Sequence, residues 1–491
     1  MNNDANESGP RLGSAARVAA IRSRLLFDLS TSLAWRDRHA VGIVRTEREL
    51  ARHLMARPDT CFVPVASHSD GIRALDPDMV LDLLNPATAS ASAERAPDRL
   101  EAPPRVARRG WLALLLRPFA LTARAIVRGL LKLLPSHVRH DASQCLVMAR
   151  QVARGLLYRP HAQPAPELAP GKPAAEQTEL PLIVHPTSAD ILFLAGLHWD
   201  VVNWQRVSEL RARAGLRVVS VMYDMIPIKF PEFVGTPRDG YYFNCFLHLI
   251  DNSDLIFCIS RRTEADLIEF IAASGRPPVR TEVLYLGSDL PASPDATAIT
   301  DPEIRERLSR GRFALTVGTF EIRKNYPLLL DVWEELLANP EFDLDLVIVG
   351  MPGWRVDDVI QRLRALPGFG TRILWFERMS DVGVSWLYER CHLFLFPSLY
   401  EGWGLPVVEA LQHGRPVIAS NRGATPEATF GLATMLDPED RAAWRAALLA
   451  AANEPRRTVM PPPGALPTWE KAAAAVAQTL AEFATPSALA R

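Results

Sequence analysis

LFLFPSLYEGWGLPVVEALQHGRPVIAS, residues 393–420, decides the fold. An apolar run ends at Pro397, a loop runs through Ser398–Gly404, a helix begins near Leu405, and a second apolar run, PVIAS, follows at 416–420. Strand, loop, helix, strand is the repeating unit of a parallel sheet. Pro406 suits the first helical position, where its missing N–H would be unpaired anyway. The helix start then aims free N–H groups and the positive end of its dipole above the strand edge, which makes a seat for phosphate. Gly402 and Gly404 remove side chains from the approach to that seat. Glu409 lies about one turn into the helix, and its side chain leans back toward the N-terminus, in reach of vicinal hydroxyls such as those of a ribose. Glu401, in the loop, sits on the other side of the phosphate position. Two carboxylates around a phosphate seat describe a ligand with hydroxyls at both ends and phosphate in the middle, and a nucleoside diphosphate sugar fits that description.

The same unit recurs along the 491 residues in two series. The first includes LLFDLS (25–30), FVPVAS (62–67), ILFLAG (191–196), RVVSVMYD (217–224), LIFCIS (255–260) and TEVLYLG (281–287); the second includes FALTVG (313–318), LDLVIVG (344–350), RILWFE (372–377), LFLFPS (393–398) and PVIAS (416–420). Between them, 288–303 is rich in Pro, Ser, Ala and Asp without apolar periodicity and reads as a linker. The expected fold class is therefore α/β, with two doubly wound Rossmann-like domains, 1–290 and 300–467, facing across a cleft at the C-terminal ends of their strands. With 48% apolar residues the chain has material for two cores.

A second element is expected to neutralise the phosphates. TVGTFEIRKNYPLLLDVWEEL (316–336) reads as strand, loop, helix and puts Arg323 and Lys324 on the loop at the strand's C-terminal end. A guanidinium and an ammonium there hold a diphosphate and stabilise it as a leaving group without a metal. Alone, such a pair more often caps a helix start; beside EGWGLP on the same sheet edge it reads as functional. The dinucleotide fingerprint is excluded because Gly402-Trp-Gly404 lacks a third glycine, and no P-loop GKS or GKT occurs. The eleven histidines are dispersed, so no metal site is expected. A net charge of −1 excludes a global field for nucleic acid. Cys61, Cys145, Cys245, Cys258 and Cys391 are far apart and read as reduced, mostly buried thiols of a cytoplasmic protein. The first twenty residues lack the apolar stretch of a secretory signal, and no apolar run is long enough to span a membrane.

Residues 85–185 interrupt the first series. Their flanks are low-complexity, and their middle, 105–140, carries eight Lys/Arg and no Asp or Glu among apolar residues at roughly helical spacing. Two readings stay open: a basic amphipathic surface for an anionic membrane, or a helical insertion packed on the host domain.

Taken together, FPSLYEGWGLPVVEAL (396–411), VGTFEIRKN (317–325) and NRGATPEA (421–428) resemble glycosyltransferase family 4, the glycosyl transferases group 1, in its mannosyltransferase-like branch. FDLS (27–30), GIVRTERELARHL (42–54), SVMYDMIPIKFPEF (220–233), LIFCISRRTEADL (255–267) and VLYLGSD (283–289) look like that branch in the same order. The resemblance covers most of 22–480 apart from the insertion and implies the GT-B fold. It implies that Lys324 and Arg323 hold the donor diphosphate, Glu409 the ribose and Glu401 the donor sugar near its anomeric centre. It also implies backbone contacts around Gly404 and Leu405, a first-domain helix beginning at Gly42 that faces the cleft, and a final helix, 468–483, crossing back to the first domain. Tyr223-Asp224 stands where many members carry His-Asp, and Thr319 stands where many carry an arginine after the glycine that is Gly318 here; Tyr223, Asp224, Gly318 and Thr319 are accordingly expected among the donor-binding residues.

The implied reaction is retaining transfer of a mannose-like hexose from a nucleoside diphosphate sugar to an acceptor hydroxyl of a bacterial surface glycan or glycolipid. GDP-mannose or another GDP-hexose is favoured over UDP-sugars, with no cofactor and no metal. The enzyme would work in the cytoplasm, touching the inner face of the membrane through 105–140. A sugar-nucleotide epimerase on the same fold and a non-catalytic partner in a polysaccharide assembly complex are the alternatives.

Overall fold

The computed structural model describes residues 23–36, 42–68, 71–84, 183–234, 240–290, 299 and 301–484. The readings of the 85–185 insertion and its basic segment fall on residues outside this set, apart from the short strand noted next. The first sheet has eight strands: β1 Arg24–Asp28, β2 Cys61–His68, β3 Gly71–Ala74, β4 Ile183–Val184, β5 Ile191–Leu194, β6 Arg217–Met222, β7 Leu255–Cys258 and β8 Arg280–Val283. Their order is β4-β3-β2-β1-β5-β6-β7-β8, parallel except that β3 pairs antiparallel with both β2 and β4. The second sheet has β9 Phe313–Val317, β10 Asp345–Val349, β11 Ile373–Phe376, β12 Leu393–Phe396, β13 Val417–Ser420 and β14 Thr434–Leu436 in the order β11-β10-β9-β12-β13-β14. All its pairs are parallel.

The central strands read as near-continuous apolar runs because they are covered on both faces: LFLF of β12 and DLVIV of β10 are buried at every position. In the second sheet the chain leaves β9 for β10 and β11 on one side and returns to β12 on the other. The crevice between β9 and β12 is therefore the topological switch point, where ligands bind in open α/β sheets. β1 and β5 flank the corresponding point of the first sheet.

Loops at the C-terminal ends of the two sheets meet. The loop after β12 touches those after β6 and β7, and Trp354, after β10, donates from its indole N–H to the carbonyl of Phe233 at 3.1 Å. Two facing Rossmann-like domains of this kind are the GT-B arrangement. The helix Trp469–Ala484 lies on the first domain, where Ala473, Val476, Ala477 and Leu480 join the core that contains Leu50, Ala51 and Leu54 of the helix Gly42–Met55. Cys145 lies outside the described residues, and the other four cysteines depart from the expectation of mostly buried thiols. Cys258 and Cys391 are buried, Cys245 is half-buried and Cys61 is exposed. No helix among the described residues is long and apolar enough to cross a membrane.

Candidate active site

The loops at the second sheet's switch point bring three predicted residues together. After β9 the chain makes one 3-10 turn, Ile322–Lys324, closed by Asn325 in the left-handed region at φ 55°. The Asn325 amide is tied to the carbonyls of Pro438 at 2.9 Å and Pro397 at 3.3 Å, and the carbonyl of Arg323 accepts from Leu399 N at 2.7 Å. The turn is thus fastened to the loop after β12. Across it, the Glu401 carboxylate pairs with Arg323 through Oε2 and with Lys324 Nζ at 2.7 Å through Oε1. Arg323 Nε also meets Glu321 at 2.8 Å.

Gly318 makes this packing possible. It sits at φ 154°, and a Cβ there would lie 3.2 Å from Lys324 Cε, so the lysine stem crosses the space a side chain would fill. Lys324 Nζ lies 4.8 Å above the centre of the Phe396 ring. Thr319 packs against the loop after β10, where its Cγ2 would be 3.2 Å from a Cβ on Gly353.

Burial raises the Glu401 carboxyl, but Arg323 and Lys324 outweigh it and leave it below the ordinary carboxylate range. Burial lowers Lys324, and Glu401 only partly restores it. Asp224, brought in by the first domain, is pushed up to about 6 by burial against the pull of Arg323.

Glu409 stands on the helix Leu405–Gln412, which has Pro406 in its first turn and Gly404 at φ 134° before it. Its carboxylate does not meet Glu401's cations. Oε1 accepts from Arg45 Nη1 at 2.8 Å and Oε2 from the Tyr388 hydroxyl at 3.0 Å. Arg45 belongs to the helix Gly42–Met55 of the first domain, and its Nη2 also pairs with Asp381 at 3.0 Å. That helix begins where expected: a Cβ on Gly42 would lie 3.7 Å from Leu405 Cδ1, so the two helix starts abut.

Two expectations are corrected. Gly402 does not open an approach for phosphate: a Cβ there would lie 2.2 Å from the Tyr223 carbonyl and 2.8 Å from Asp224 Cβ, so its bare backbone admits the other domain. Tyr223 does not offer its hydroxyl to the cleft. The ring is buried and the hydroxyl donates to the Ala195 carbonyl inside the first domain.

The sequence reading missed Arg45 and the anchors of the Glu401 loop. Ser260 Oγ at 2.7 Å and Thr263 Oγ1 at 3.1 Å both donate to the Gly402 carbonyl, and Arg262 Nε reaches the Tyr400 hydroxyl at 3.0 Å. Trp403 stacks on Tyr285 with centroids 5.0 Å apart. Glu427 accepts from Arg261 N at 2.9 Å and from the Tyr285 hydroxyl at 2.7 Å. The available signal was that GIVRTEREL and CISRRTEADL each follow a first-domain strand and start a helix, the position from which side chains reach a cleft.

Residues 300–455 match the family model described as Glycosyl transferases group 1. The second domain is a group 1 glycosyltransferase domain. Among curated relatives of the chain, a serotype-specific mannosyltransferase WbdA of Escherichia coli is 32% identical over 223 residues, covering 43% of this chain and 27% of that protein. O-antigen chain mannosyltransferase B of Escherichia coli is 29% identical over 242 residues, covering 48% of this chain and 62% of that protein. The chain thus spans less than two thirds of either relative. The structure of Anabaena Alr3699/HepE in complex with UDP-glucose is 16% identical, matches over 61% of this chain and 79% of that one, and superposes with a TM-score of 0.43. Within the group 1 glycosyltransferase domain lie Gly318, Arg323, Lys324, Glu401 and Glu409; Arg45, Asp224 and Ser260 come from outside the matched segment.

Proposed function

We propose that the chain is a retaining hexosyltransferase that moves a mannose-like sugar from a nucleoside diphosphate sugar, a GDP-hexose by preference, to a hydroxyl of a bacterial surface glycan. The observation that carries the reading is the convergence of Arg323, Lys324 and Glu401 at the switch point of the second sheet, beside the helix that bears Glu409. Arg323 and Lys324 take the diphosphate and offset the negative charge that grows on it as the glycosidic bond breaks. Glu401, held below the ordinary carboxylate range, is ionised at neutral pH. It therefore accepts hydrogen bonds from the donor sugar and supports positive charge at the anomeric carbon, and it is not a proton donor. Its ion pairs keep it on the same side as the phosphate-binding cations, which suits front-face attack, with the leaving phosphate oxygen taking the acceptor proton, better than a covalent glycosyl-enzyme. Glu409 accepts from the ribose diol. No step calls for a metal or cofactor.

The mannosyl preference and the glycan acceptor rest on the named activities of the two relatives. A lipid-linked acceptor at the inner face of the membrane suits the basic segment 105–140; flotation with phosphatidylglycerol vesicles, equal for the full chain and a 105–140 deletion, would remove that part of the reading. The central test is thermal stabilisation by GDP, UDP, ADP and their sugar derivatives. Stabilisation by one nucleotide family, lost in Lys324→Ala and Glu409→Ala, is the expected result. No shift at millimolar concentration with any of them would refute the donor site.

A further inference from the structure

We propose that Arg45 is a positioning residue for the donor site: reaching across the cleft from the first domain, it holds Glu409 charged and aimed at the ribose. The inference rests on the reading of Glu409 as the ribose acceptor. Glu409 is only 3% exposed, and a carboxylate taken out of water that far favours its neutral form unless a cation accompanies it.

The groups facing that carboxylate come from two elements. The helix Gly42–Met55 supplies Arg45, itself flanked by Glu49, and the helix Asp381–Arg390 supplies the Tyr388 hydroxyl and, further off, Asp381. At the C-terminal cap of the Glu409 helix, the His413 ring nitrogen at 2.8 Å bonds the Glu409 backbone carbonyl and not the carboxylate. Arg45 is the cation that supports ionisation there; burial and Asp381 oppose it, and the net direction is upward.

The Glu409 carboxylate has more acceptor positions than protein donors. An ionised carboxylate offers about four acceptor positions over its two oxygens. Arg45 takes one on Oε1 and Tyr388 one on Oε2. One position on each oxygen stays open, the pattern that two vicinal hydroxyls fill, so the diol binds without displacing either protein partner. Since Arg45 arrives with the first domain, the ribose seat is complete only when the two domains stand as they do here.

The test is isothermal titration of the full chain with GDP-mannose, and with UDP-glucose in parallel, between about pH 5.5 and 8.5. The wild type, Arg45→Met, Arg45→Lys and Asp381→Asn are compared as the ratio of variant to wild-type Kd at each pH, which cancels the titration of Asp224 common to all. With Arg45→Met the Glu409 carboxyl rises further, so the ratio is expected to grow about tenfold or more on going from the alkaline to the acid end, one pKa unit being worth a factor of ten. Arg45→Lys restores a ratio within about threefold, and Asp381→Asn, which removes a charge that opposes ionisation of Glu409, gives a ratio that does not grow toward the acid end. A flat ratio near one for Arg45→Met overturns the proposal. A loss of binding that does not recover at the alkaline end overturns it too, in favour of a direct contact with donor or a role in folding. A wild type that binds neither sugar nucleotide overturns the reading of the donor site and this proposal with it.

Discussion

Glu401 and Glu409 are almost equally buried, at 6% and 3% exposure, yet burial wins at one and loses at the other. Glu401 has two cations against it, and its carboxyl is lowered; Glu409 has one, and its carboxyl is raised. The sources of support are crossed. The Glu401 side chain is neutralised within its own domain by Arg323 and Lys324, while the backbone around it is docked on the other domain through Tyr400 and Gly402. The Glu409 backbone is fixed within a helix of its own domain, while its charge partner is Arg45 from the other. Each carboxylate thus depends on both domains, by different means. Glu47, buried in the first domain, completes the series: with no ion pair among the described residues and only neutral donors, from Ser32 and Thr31, it is pushed up to about 8.

The largest effect that sharpens this contrast is expected from Glu401→Gln. Turnover should fall by about 100- to 1000-fold. The folded state should lose about 3 kcal/mol in urea unfolding, because Arg323 and Lys324 are left buried with less opposing charge. Nucleotide Kd should not weaken, since both phosphate ligands are released to the donor; a Kd weakened in step with turnover would show the two sites are one. Next, Gly402→Ala places a methyl against the Tyr223 carbonyl and should cost about 1–3 kcal/mol of stability or domain contact, read as raised hydrogen exchange across 399–404. Glu409→Gln should weaken nucleotide binding about tenfold, measured by titration, with stability changed less than in Glu401→Gln, because Arg45 keeps its pair with Asp381 whereas Lys324 loses the carboxylate it pairs with. Ser260→Ala, leaving Thr263 as the donor to Gly402, should cost about 1 kcal/mol.

The pH behaviour tests the series from its other end. Glu47 holds its proton more tightly in the folded chain than in the unfolded one. Its contribution to stability is therefore present at low pH and is lost as pH rises from about 4.5 toward about 8. Glu47→Gln, which keeps a neutral group in place, should be the more stable of the two near pH 9 relative to their difference near pH 5. Equal slopes in urea midpoints would place Glu47 in a wetter setting than its burial implies.

The central strands of both sheets were legible as apolar runs because they are covered on two faces. β3, β4 and β14 were not, since GIRA, IV and TML are too short to show a period of two, lie at a sheet edge or next to one, and take their form from a neighbouring strand. Arg323, Lys324 and Glu401 were legible because each follows a strand at the sheet's ligand-binding end, and strand ends can be read locally. Arg45 was not, because its role depends on which helix of the other domain it meets. Gly402 shows the limit from the opposite side: a bare backbone for phosphate and a bare backbone for a neighbouring carbonyl are written with the same letter.

The chain passes between its domains twice, and the two passages touch. Trp469 N bonds Asp289 at 2.8 Å, and a Cβ on Gly287 would lie 2.1 Å from that same nitrogen. Two bodies joined by a pair of adjacent threads have one easy motion, a swing about the line where the threads lie. The seam at Gly287 and Trp469 therefore works as the spine of a book. Opening it turns the pages as whole leaves, and every contact printed across the facing margins opens or closes in one stroke.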